Sequence, residues 1–253
     1  MRYRQVKRSQ RLYLKPVKIL DFQMYLDDLD SLKLGVNGIY EPQETLLIQE
    51  LVKPDWTCID IGANIGYFTL IMAKQCKYVY AFEPELNNFN LLKMNIELNK
   101  FGDVTIYREA VGDYTGTKPL YICDTNNGMH RLYKSKHCGT RVAYVYTVRL
   151  DDYKLVDWPK IDFIKIDVEG AEYGVLTGMV ELLIKDKPTI LMEFHPPSIK
   201  EYGVNPLDVY RFIYKLGYEI YLIPNIADII SYEQLLESTN NINGGQNVLC
   251  IPK

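Results

Sequence analysis

Short apolar segments alternate with amphipathic helical patterns from about residue 42 onwards. The helical patterns cover residues 42–52, 67–74, 84–99, 171–183 and 206–216, and the main apolar segments cover residues 57–61, 78–82, 104–108, 162–166, 189–194, 218–223 and 247–251. These segments have too few polar positions for one face to meet water, which is typical of parallel strands covered by helices on both sides. We therefore predict an α/β fold with a doubly wound, mostly parallel sheet of seven strands, in which a late hairpin lets the last strand run antiparallel.

Two regions depart from this alternation. Residues 1–39 form a basic and poorly patterned lead-in. Residues 112–149 are rich in turns and tyrosine, with β-like segments at 120–123 and 141–149. We predict one domain over residues 40–253, in which the tyrosine-rich region is a β-hairpin insertion and not a second domain.

The composition narrows the class of protein. The chain has 253 residues, of which 47% are hydrophobic and 24% charged, a balance that excludes disordered, collagen-like and disulfide-scaffold proteins. No apolar run approaches the ~18 residues that span a bilayer, and the N-terminus lacks the apolar stretch of a secretory signal. The five cysteines include no CxxC pair, which favours reduced thiols. We expect a soluble, cytoplasmic protein.

Charge is distributed unevenly along the chain. Residues 1–18 hold seven basic residues and no acid, which leaves 22 basic and 32 acidic residues, a balance of −10, for the remainder. An acidic body argues against a broad nucleic-acid-binding face. The basic arm could contact phosphate or an anionic membrane, although a solvated tail is the simpler interpretation.

The most informative segment is the predicted turn from the first strand of the sheet into its helix, with the sequence DIGANIG from Asp60 to Gly66. In doubly wound folds this turn binds ligands. Gly62 and Gly66 let a ligand approach where a Cβ atom would collide, but their spacing differs from the G-x-G-x-x-G of dinucleotide sites. Asp60 would repel a pyrophosphate and suits a cationic ligand, such as S-adenosylmethionine (SAM). The turn therefore argues against an NAD-dependent oxidoreductase.

Glu83 follows the second strand of the sheet, 17 residues after Gly66. A carboxylate at this strand end can accept hydrogen bonds from ribose hydroxyls. Either Asp60 or Glu83 alone could equally well cap a helix. Because the two acids stand at matching ends of neighbouring strands, together they predict an adenosine-containing cofactor, and Asp60 favours SAM.

Several segments carry a resemblance to a known family. They are, in order, YEPQETLLIQELVKPDWTCIDIGANIGYFTL, AFEPELNNFNLLKMNIELN, REAVGD, TVRLDDY and IDFIKIDVEGAEYGVLTGM. Through them the chain resembles, from about Tyr40 onwards, the FkbM family of SAM-dependent methyltransferases, and GANIGY and KIDVEGAE are the most specific pieces. The resemblance implies a Rossmann-like class I methyltransferase sheet. It also implies methyl transfer from SAM, usually to a hydroxyl of a sugar, lipid or secondary metabolite.

The resemblance also implies cofactor-binding residues at the ends of the first three strands. They are Asp60, Gly62, Ala63, Asn64 and Gly66 in the first SAM motif, Glu83 as the ribose-binding acid, and Glu109, Ala110 and Val111 beside the adenine. Residues 1–39 and 124–140 match nothing distinctive in the family. We therefore expect those two regions to set the specificity for the acceptor.

Methyl transfer to a hydroxyl needs an aligned acceptor and a group that takes its proton. The fourth and fifth strands end in KIDVEG and EFHPP, and the candidate residues at these ends are Lys165, Asp167, Glu169, Glu193 and His195. In one alternative Asp167, Glu169 or His195 is the general base, and Lys165 or an acid steers the acceptor. In another, Asp167 with Glu193 or His195 holds a divalent ion that lowers the pKa of the hydroxyl. In the third, Asp167 and Glu169 cap the next helix and His195 is a hydrogen-bonded core histidine. Glu169 is the base we favour, and a metal ion is not favoured.

Three functions remain open at this stage. The leading hypothesis is a SAM-dependent O-methyltransferase that acts on a small-molecule, glycan or lipid-linked acceptor. An RNA methyltransferase that uses the basic arm is the alternative among enzymes, but the fourth strand ends in DVEG and lacks the N/D-P-P-Y sequence that grips a base. A SAM-binding module without catalysis is the alternative outside enzymes.

Overall fold

The structure is a computed structural model that describes residues 15–153, 158–223, 226, 228–241 and 245–253. Five of the basic arm's residues lie outside this part, namely Arg2, Arg4, Lys7, Arg8 and Arg11. Contact of the arm with phosphate or a membrane therefore stays a prediction. No helix in the described part of the chain is long and apolar enough to cross a membrane.

The described residues form three sheets and the helices that flank them. The strands are β1 (Val17–Ile19), β2 (Phe22–Met24), β3 (Thr57–Ile61), β4 (Tyr78–Phe82), β5 (Asp103–Tyr107), β6 (Ala110–Val111), β7 (Gly116–Tyr121), β8 (Val142–Val148), β9 (Phe163–Ile166), β10 (Thr189–Phe194), β11 (Tyr218–Leu222) and β12 (Gln246–Pro252). The helices are α1 (Leu34–Asn37), α2 (Pro42–Leu51), α3 (Tyr67–Ala73), α4 (Leu86–Asn99), α5 (Glu172–Thr177), α6 (Val180–Asp186), α7 (Pro196–Tyr202), α8 (Pro206–Lys215) and α9 (Tyr232–Asn241).

The main sheet has seven strands in the order β11-β12-β10-β9-β3-β4-β5. Strands β3, β4, β5, β9 and β10 pair in parallel, whereas β12 runs antiparallel to both β10 and β11. The predicted fold class and the antiparallel last strand are confirmed. The strand order changes direction between β3 and β9, so a crevice opens at their carboxyl ends, where such sheets bind ligands.

Both faces of the central strands are buried. All five residues of β3 and all four of β9 are buried. Ile59 and Ile164 belong to the hydrophobic cluster on one face, and Cys58 and Phe163 belong to the cluster on the other. Successive residues of a strand point to opposite faces, which explains why these strands read as unbroken apolar runs.

The helix predicted over residues 171–183 is two helices, α5 and α6. At the break, Gly178 packs against the insertion so closely that a Cβ atom would lie 1.9 Å from the carbonyl oxygen of Gly112. The Gly178 carbonyl accepts the backbone N–H of Asp151 at 3.0 Å. The Asp151 carboxylate in turn accepts the N–H of Glu181, in the first turn of α6, at 3.1 Å. The helix therefore breaks where the start of the insertion and the segment just after its end dock.

The insertion contains the predicted β-hairpin. Strands β7 and β8 pair antiparallel, and the short β6 pairs in parallel with β8 to complete a three-stranded sheet. The chain between β7 and β8 folds back on the hairpin, since Tyr121 and Arg131 exchange backbone hydrogen bonds of 2.8 and 3.1 Å. This places residues 126–130 opposite the carboxyl ends of the main sheet.

The described part of the lead-in, residues 15–39, is more ordered than its pattern indicates. Strands β1 and β2 form a small antiparallel hairpin whose side chains Ile19, Phe22 and Met24 are buried. Two asparagines of α4 hold it in place, because Asn95 and Asn99 each exchange a pair of hydrogen bonds with the backbone of β2 or of the residue after it. The hairpin of β1 and β2 is thereby anchored beside the crevice of the main sheet.

Candidate functional site

A cavity lies at the carboxyl ends of β3, β4 and β9. Its opposite wall consists of Ser31 and Leu32 of the lead-in and residues 126–130 of the insertion. Eleven of the fourteen residues predicted for cofactor binding or catalysis line the cavity, namely Asp60, Gly62, Ala63, Asn64, Glu83, Glu109, Ala110, Val111, Lys165, Asp167 and Glu169. The other three, Gly66, Glu193 and His195, do not line it.

Asp60 lies on the central strand β3 and is 1% exposed. Its Oδ2 atom accepts a hydrogen bond from Thr69 Oγ1 at 2.5 Å, but its Oδ1 atom is buried without a hydrogen-bond partner. Burial raises the pKa of Asp60, and the ammonium of Lys165 opposes this shift. Because buried polar atoms are normally paired, the free oxygen marks a position for a donor or a cation from a ligand.

Glu83 directly follows β4 and is held from two sides. Its Oε2 atom accepts the backbone N–H of Asn64 at 2.9 Å, and its Oε1 atom accepts that of Glu85 at 2.8 Å. Burial raises the pKa of Glu83 to about 8. Each carboxylate oxygen can accept a second hydrogen bond, so the side chain is oriented and still has capacity for ligand hydroxyls.

The two glycines of the first turn have different roles. Gly62 has φ 85°, and a Cβ atom there would lie 1.8 Å from the carbonyl oxygen of Asp167. Only glycine allows the turns after β3 and β9 to approach so closely. Gly66 has φ 93° and begins α3, where a Cβ atom would lie 2.7 Å from Leu92 Cδ1 of α4. The structure therefore gives Gly66 a packing role behind the cavity.

The segment after β5 forms a side wall of the cavity. Glu109, Ala110 and Val111 all line it, and Ala110 and Val111 are strand β6 of the insertion. Glu109 Oε2 accepts a hydrogen bond from Tyr153 Oη at 2.8 Å. The predicted adenine-side segment thus presents an apolar surface next to a carboxylate whose position is fixed by a tyrosine.

Lys165 and Asp167 form a buried ion pair at the end of β9. Lys165 Nζ lies 3.0 Å from Asp167 Oδ2 and 4.5 Å from the ring centroid of Phe68. Burial alone would lower the pKa of Lys165, but the carboxylates of Asp167, Glu41 and Asp60 raise it above its ordinary value. Lys165 is therefore a permanent cation between Asp60 and Asp167.

Glu169 lines the cavity with 21% of its side chain exposed. Its Oε2 atom lies 3.1 Å from Nη2 of Arg131, an arginine of the insertion. Burial and the neighbouring Asp167 carboxylate raise the pKa of Glu169 to about 7, whereas Arg131 acts in the opposite direction. A carboxylate with a pKa near neutrality suits a general base.

Of Asp167, Glu169 and His195, only His195 caps a helix, and it does so beside a surface cleft and not in the core. The N-cap residue of α5 is Ala171, without a side-chain hydrogen bond, so neither Asp167 nor Glu169 caps that helix. His195 caps α7, where its Nδ1 atom accepts the N–H of Ser198 at 3.3 Å. It lines a separate surface cleft, and this position does not favour a catalytic role for His195.

The metal-ion alternative requires acidic or histidine side chains grouped around one point. Among the described residues, no three His, Cys, Asp or Glu side chains are grouped so that they could hold a metal ion. Asp167 is paired with Lys165 instead, and His195 faces the other cleft. Whether a metal ion takes part stays a prediction.

A comparison with protein families agrees with this geometry. A sequence profile described as Methyltransferase FkbM domain matches residues 60–220, which is more than half of the chain. The chain belongs to the FkbM methyltransferase family. The match begins at Asp60, in the turn that forms the floor of the cavity, and includes the strand ends at Glu83, Lys165, Asp167 and Glu169.

Known proteins that are similar to this chain are distant from it in sequence. Methyltransferase 1 of Beauveria bassiana is 28% identical over 48% of this chain and 57% of its own length. The hexuronic acid methyltransferase AglP of Haloferax volcanii is 29% identical over 73% of each chain. The crystal structure of a methyltransferase FkbM from Methylobacillus flagellatus superposes with a TM-score of 0.48 at 15% identity, covering 81% of this chain and 50% of that one. The chain thus spans little more than half of the first of these relatives.

A polar cluster that the sequence did not predict closes the cavity. We call it the Asn127 cluster (Asp27, Ser31, Asn88 and Asn127). Asn127 of the insertion is the centre of the cluster. Its backbone N–H donates to Ser31 Oγ at 2.9 Å, and its Nδ2 atom donates to Asp27 Oδ1 at 3.0 Å. Its carbonyl oxygen accepts from Asn88 Nδ2 at 2.8 Å. The cluster joins three distant segments, so no local pattern could reveal it.

Proposed function

We propose that this FkbM-family chain transfers a methyl group from SAM to a hydroxyl of a sugar-containing acceptor. Family membership supports methyl transfer, and the similarity to a hexuronic acid methyltransferase supports a sugar. The observation that carries the proposal is that Asp60, with a free buried oxygen, Glu83 and Glu169 all line one cavity.

The residues of the cavity fit SAM. The unpaired Oδ1 atom of Asp60 offers an acceptor for a cationic amino group. Glu83, fixed by two backbone N–H groups, can accept from ribose hydroxyls, and Ala110 and Val111 offer an apolar wall for an adenine. When bound, SAM supplies a methyl group that its sulfonium makes electrophilic.

The chain's own residues would align the acceptor and take its proton. Glu169 lies at the cavity wall and can accept the hydroxyl proton while the oxygen bonds to the methyl carbon. Transfer would give the methyl ether, S-adenosylhomocysteine, whose sulfur keeps the electron pair of the former carbon–sulfur bond, and a protonated Glu169. The Lys165–Asp167 pair can donate to and accept from other acceptor hydroxyls.

Calorimetry followed by a transfer assay tests the proposal. We expect SAM and S-adenosylhomocysteine to bind and NAD not to bind. Labelled methyl from SAM should then appear on one of a panel of free sugars (glucose, N-acetylglucosamine and glucuronic acid) or on lipid-linked sugars. Binding without transfer to any of them would favour the non-catalytic module, and label on RNA would favour the RNA methyltransferase. Failure of the folded protein to bind SAM would contradict the proposal.

The Asn127 cluster gives a further prediction. Replacing Asn127 with alanine removes the Asp27 contact and loosens the wall over the cofactor, so we expect S-adenosylhomocysteine to dissociate faster and to bind roughly tenfold more weakly. Loss of one to two hydrogen bonds of about 1 kcal/mol each accounts for this factor. Stopped-flow fluorescence and calorimetry measure it. The control is Asn205→Ala, which removes the cap of the distant helix α8. Equal effects in the two variants would refute a specific role.

A further inference from the structure

Arg131 is a buried cation that the insertion brings to the catalytic carboxylate. It is 3% exposed and lies between two acids. Its Nη2 atom is 3.1 Å from Glu169 Oε2, and its Nη1 atom is 3.1 Å from Glu201 Oε2 of α7. It falls in the region 124–140, which matches nothing distinctive in the family's motifs. Its position follows from tertiary structure alone.

The insertion holds Arg131 rigidly. Its backbone is paired with Tyr121, the last residue of β7, as described above. Nη1 also donates to Tyr133 Oη at 3.0 Å and to Ser135 Oγ at 3.2 Å. Ser135 Oγ then donates to Glu201 at 2.8 Å. An arginine with this many fixed partners has one orientation, in which its Nη2 atom donates to Glu169.

Glu169 is held through its backbone as well as through its side chain. Its φ of 56° lies in the left-handed region, which a side chain disfavours. Tyr133 Oη donates to the Glu169 carbonyl at 2.8 Å. The next residue, Gly170, has φ 104°, and a Cβ atom there would lie 2.7 Å from the same tyrosine oxygen. Such strain persists where the surroundings over-determine it, which is common at functional sites.

We propose that Arg131 is a positioning residue for methyl transfer, which fixes the Glu169 carboxylate at the cavity wall and sets the pH range in which it accepts the acceptor's proton. This inference rests on the proposed function, because it assumes that Glu169 is the base. Arg131 acts through Glu169 and does not itself line the cavity. Glu201 shares the arginine and thereby limits the charge available to Glu169.

The charged groups around Glu169 make its titration sensitive to Arg131. Asp167 lies on its own turn, and Glu172 of α5 and Glu193 of β10 also interact with it electrostatically. Cys138 of the insertion is close enough for its thiol to be affected by the Glu169 charge. Burial and the acids raise the pKa of Glu169, and Arg131 opposes them. Removal of the arginine therefore leaves the repulsion between Glu169 and the neighbouring acids uncompensated, which raises the pKa of Glu169 further.

Carboxyl-carbon NMR of the full chain, labelled at glutamate, tests the inference without an acceptor. The Glu169 signal is assigned as the one missing in Glu169→Gln. In Arg131→Met we expect its midpoint to rise by about one pH unit or more, as loss of a close opposite charge implies. In Arg131→Lys we expect a partial return, because lysine keeps the charge but cannot bridge both acids. An unchanged midpoint in folded Arg131→Met would overturn the inference.

Glu201→Gln is the matched variant, since it keeps the shape and one acceptor oxygen. It releases the arginine's charge to Glu169, so the midpoint should fall. Electrostatic control thus predicts that the Glu169 midpoint shifts in opposite directions in Arg131→Met and Glu201→Gln. General loosening of the insertion would shift it in the same direction in both variants, and this result would contradict the proposal. If Arg131→Met does not fold, the other two variants still test the proposal: the Glu169 midpoint should rise in Arg131→Lys and fall in Glu201→Gln.

Activity provides the second readout. The acidic limb of methyl transfer to the sugar found in the acceptor panel should move with the NMR midpoint in each variant, while the affinity for S-adenosylhomocysteine stays unchanged. If the midpoint moves but the limb does not, Arg131 controls Glu169 without controlling catalysis, and the inference fails. If the wild type binds SAM but labels no acceptor, the proposed function fails instead, and the NMR shifts then report only the ion pair.

Discussion

Replacing Glu83 with alanine should weaken the binding of SAM at least about 100-fold. Above its raised pKa of about 8 the side chain is a carboxylate. It would then accept hydrogen bonds from ribose hydroxyls, and bonds to a charged group contribute about 1.5–3 kcal/mol each. Two such bonds correspond to about 3 kcal/mol, and each 1.4 kcal/mol is a factor of ten in affinity. Calorimetry with SAM and with S-adenosylhomocysteine measures the loss.

A neighbouring acid provides the control for Glu83. Glu85 is also buried but does not line the cavity, because its carboxylate caps α4 by accepting the N–H groups of Asn87 and Asn88 at 2.7 and 2.9 Å. Glu85→Gln should therefore keep the wild-type affinity. Glu83→Ala leaves the N–H groups of Asn64 and Glu85 without their acceptor, so thermal unfolding must first show that it is folded. Wild-type affinity in folded Glu83→Ala would rule out the ribose contact.

The second large effect is expected for Glu169→Gln. Glutamine keeps the shape of the side chain and a hydrogen-bond acceptor for Arg131, but it cannot take a proton from a hydroxyl. General-base catalysis contributes about 10²- to 10⁴-fold, so kcat for transfer to the sugar should fall by that factor. The affinity for SAM should stay unchanged, since the contacts proposed for SAM involve Asp60 and Glu83.

The pH dependence of the wild type has a definite sign. Glu169 is a base only when ionised, and its pKa is raised to about 7. We therefore expect kcat/KM to fall as the pH decreases through about 7, and this limb should be absent from the residual activity of Glu169→Gln. Glu97→Gln, at an exposed position of α4, should retain both the rate and the limb. A Glu169→Gln enzyme with the wild-type rate would show that another group takes the proton.

The cofactor side of the site could be predicted because it is local. Asp60, Gly62, Ala63 and Asn64 follow one another in a single strand–turn–helix unit, and strand ends bring Glu83 beside them by the geometry of any parallel sheet. Gly66, predicted with them as a cofactor-binding residue, lies behind the cavity and packs against Leu92, since a glycine needed for packing has the same sequence signature as one that meets a ligand.

The acceptor side could not be predicted in the same way. The break between α5 and α6 at Gly178 depends on contact with Gly112, and the helical pattern of residues 171–183 contains no sign of that contact. The hairpin of β1 and β2 consists of three-residue strands that are too short to show a period. Its order depends on Asn95 and Asn99 of α4, 70 or more residues away.

Hydrophobic periods and strand-end residues act over a few positions, so the α/β sheet, the strand–turn–helix unit at the cavity and the family could be predicted from local patterns. Which acids share the cavity, and which side chains control them, depends on how distant segments pack. The tertiary structure paired Glu169 with Arg131, directed His195 to a different cleft, and joined Ser31 to Asn127. The reason is physical: burial, which sets the pKa of a carboxylate and the strength of its ion pairs, depends on segments that meet only in the folded chain.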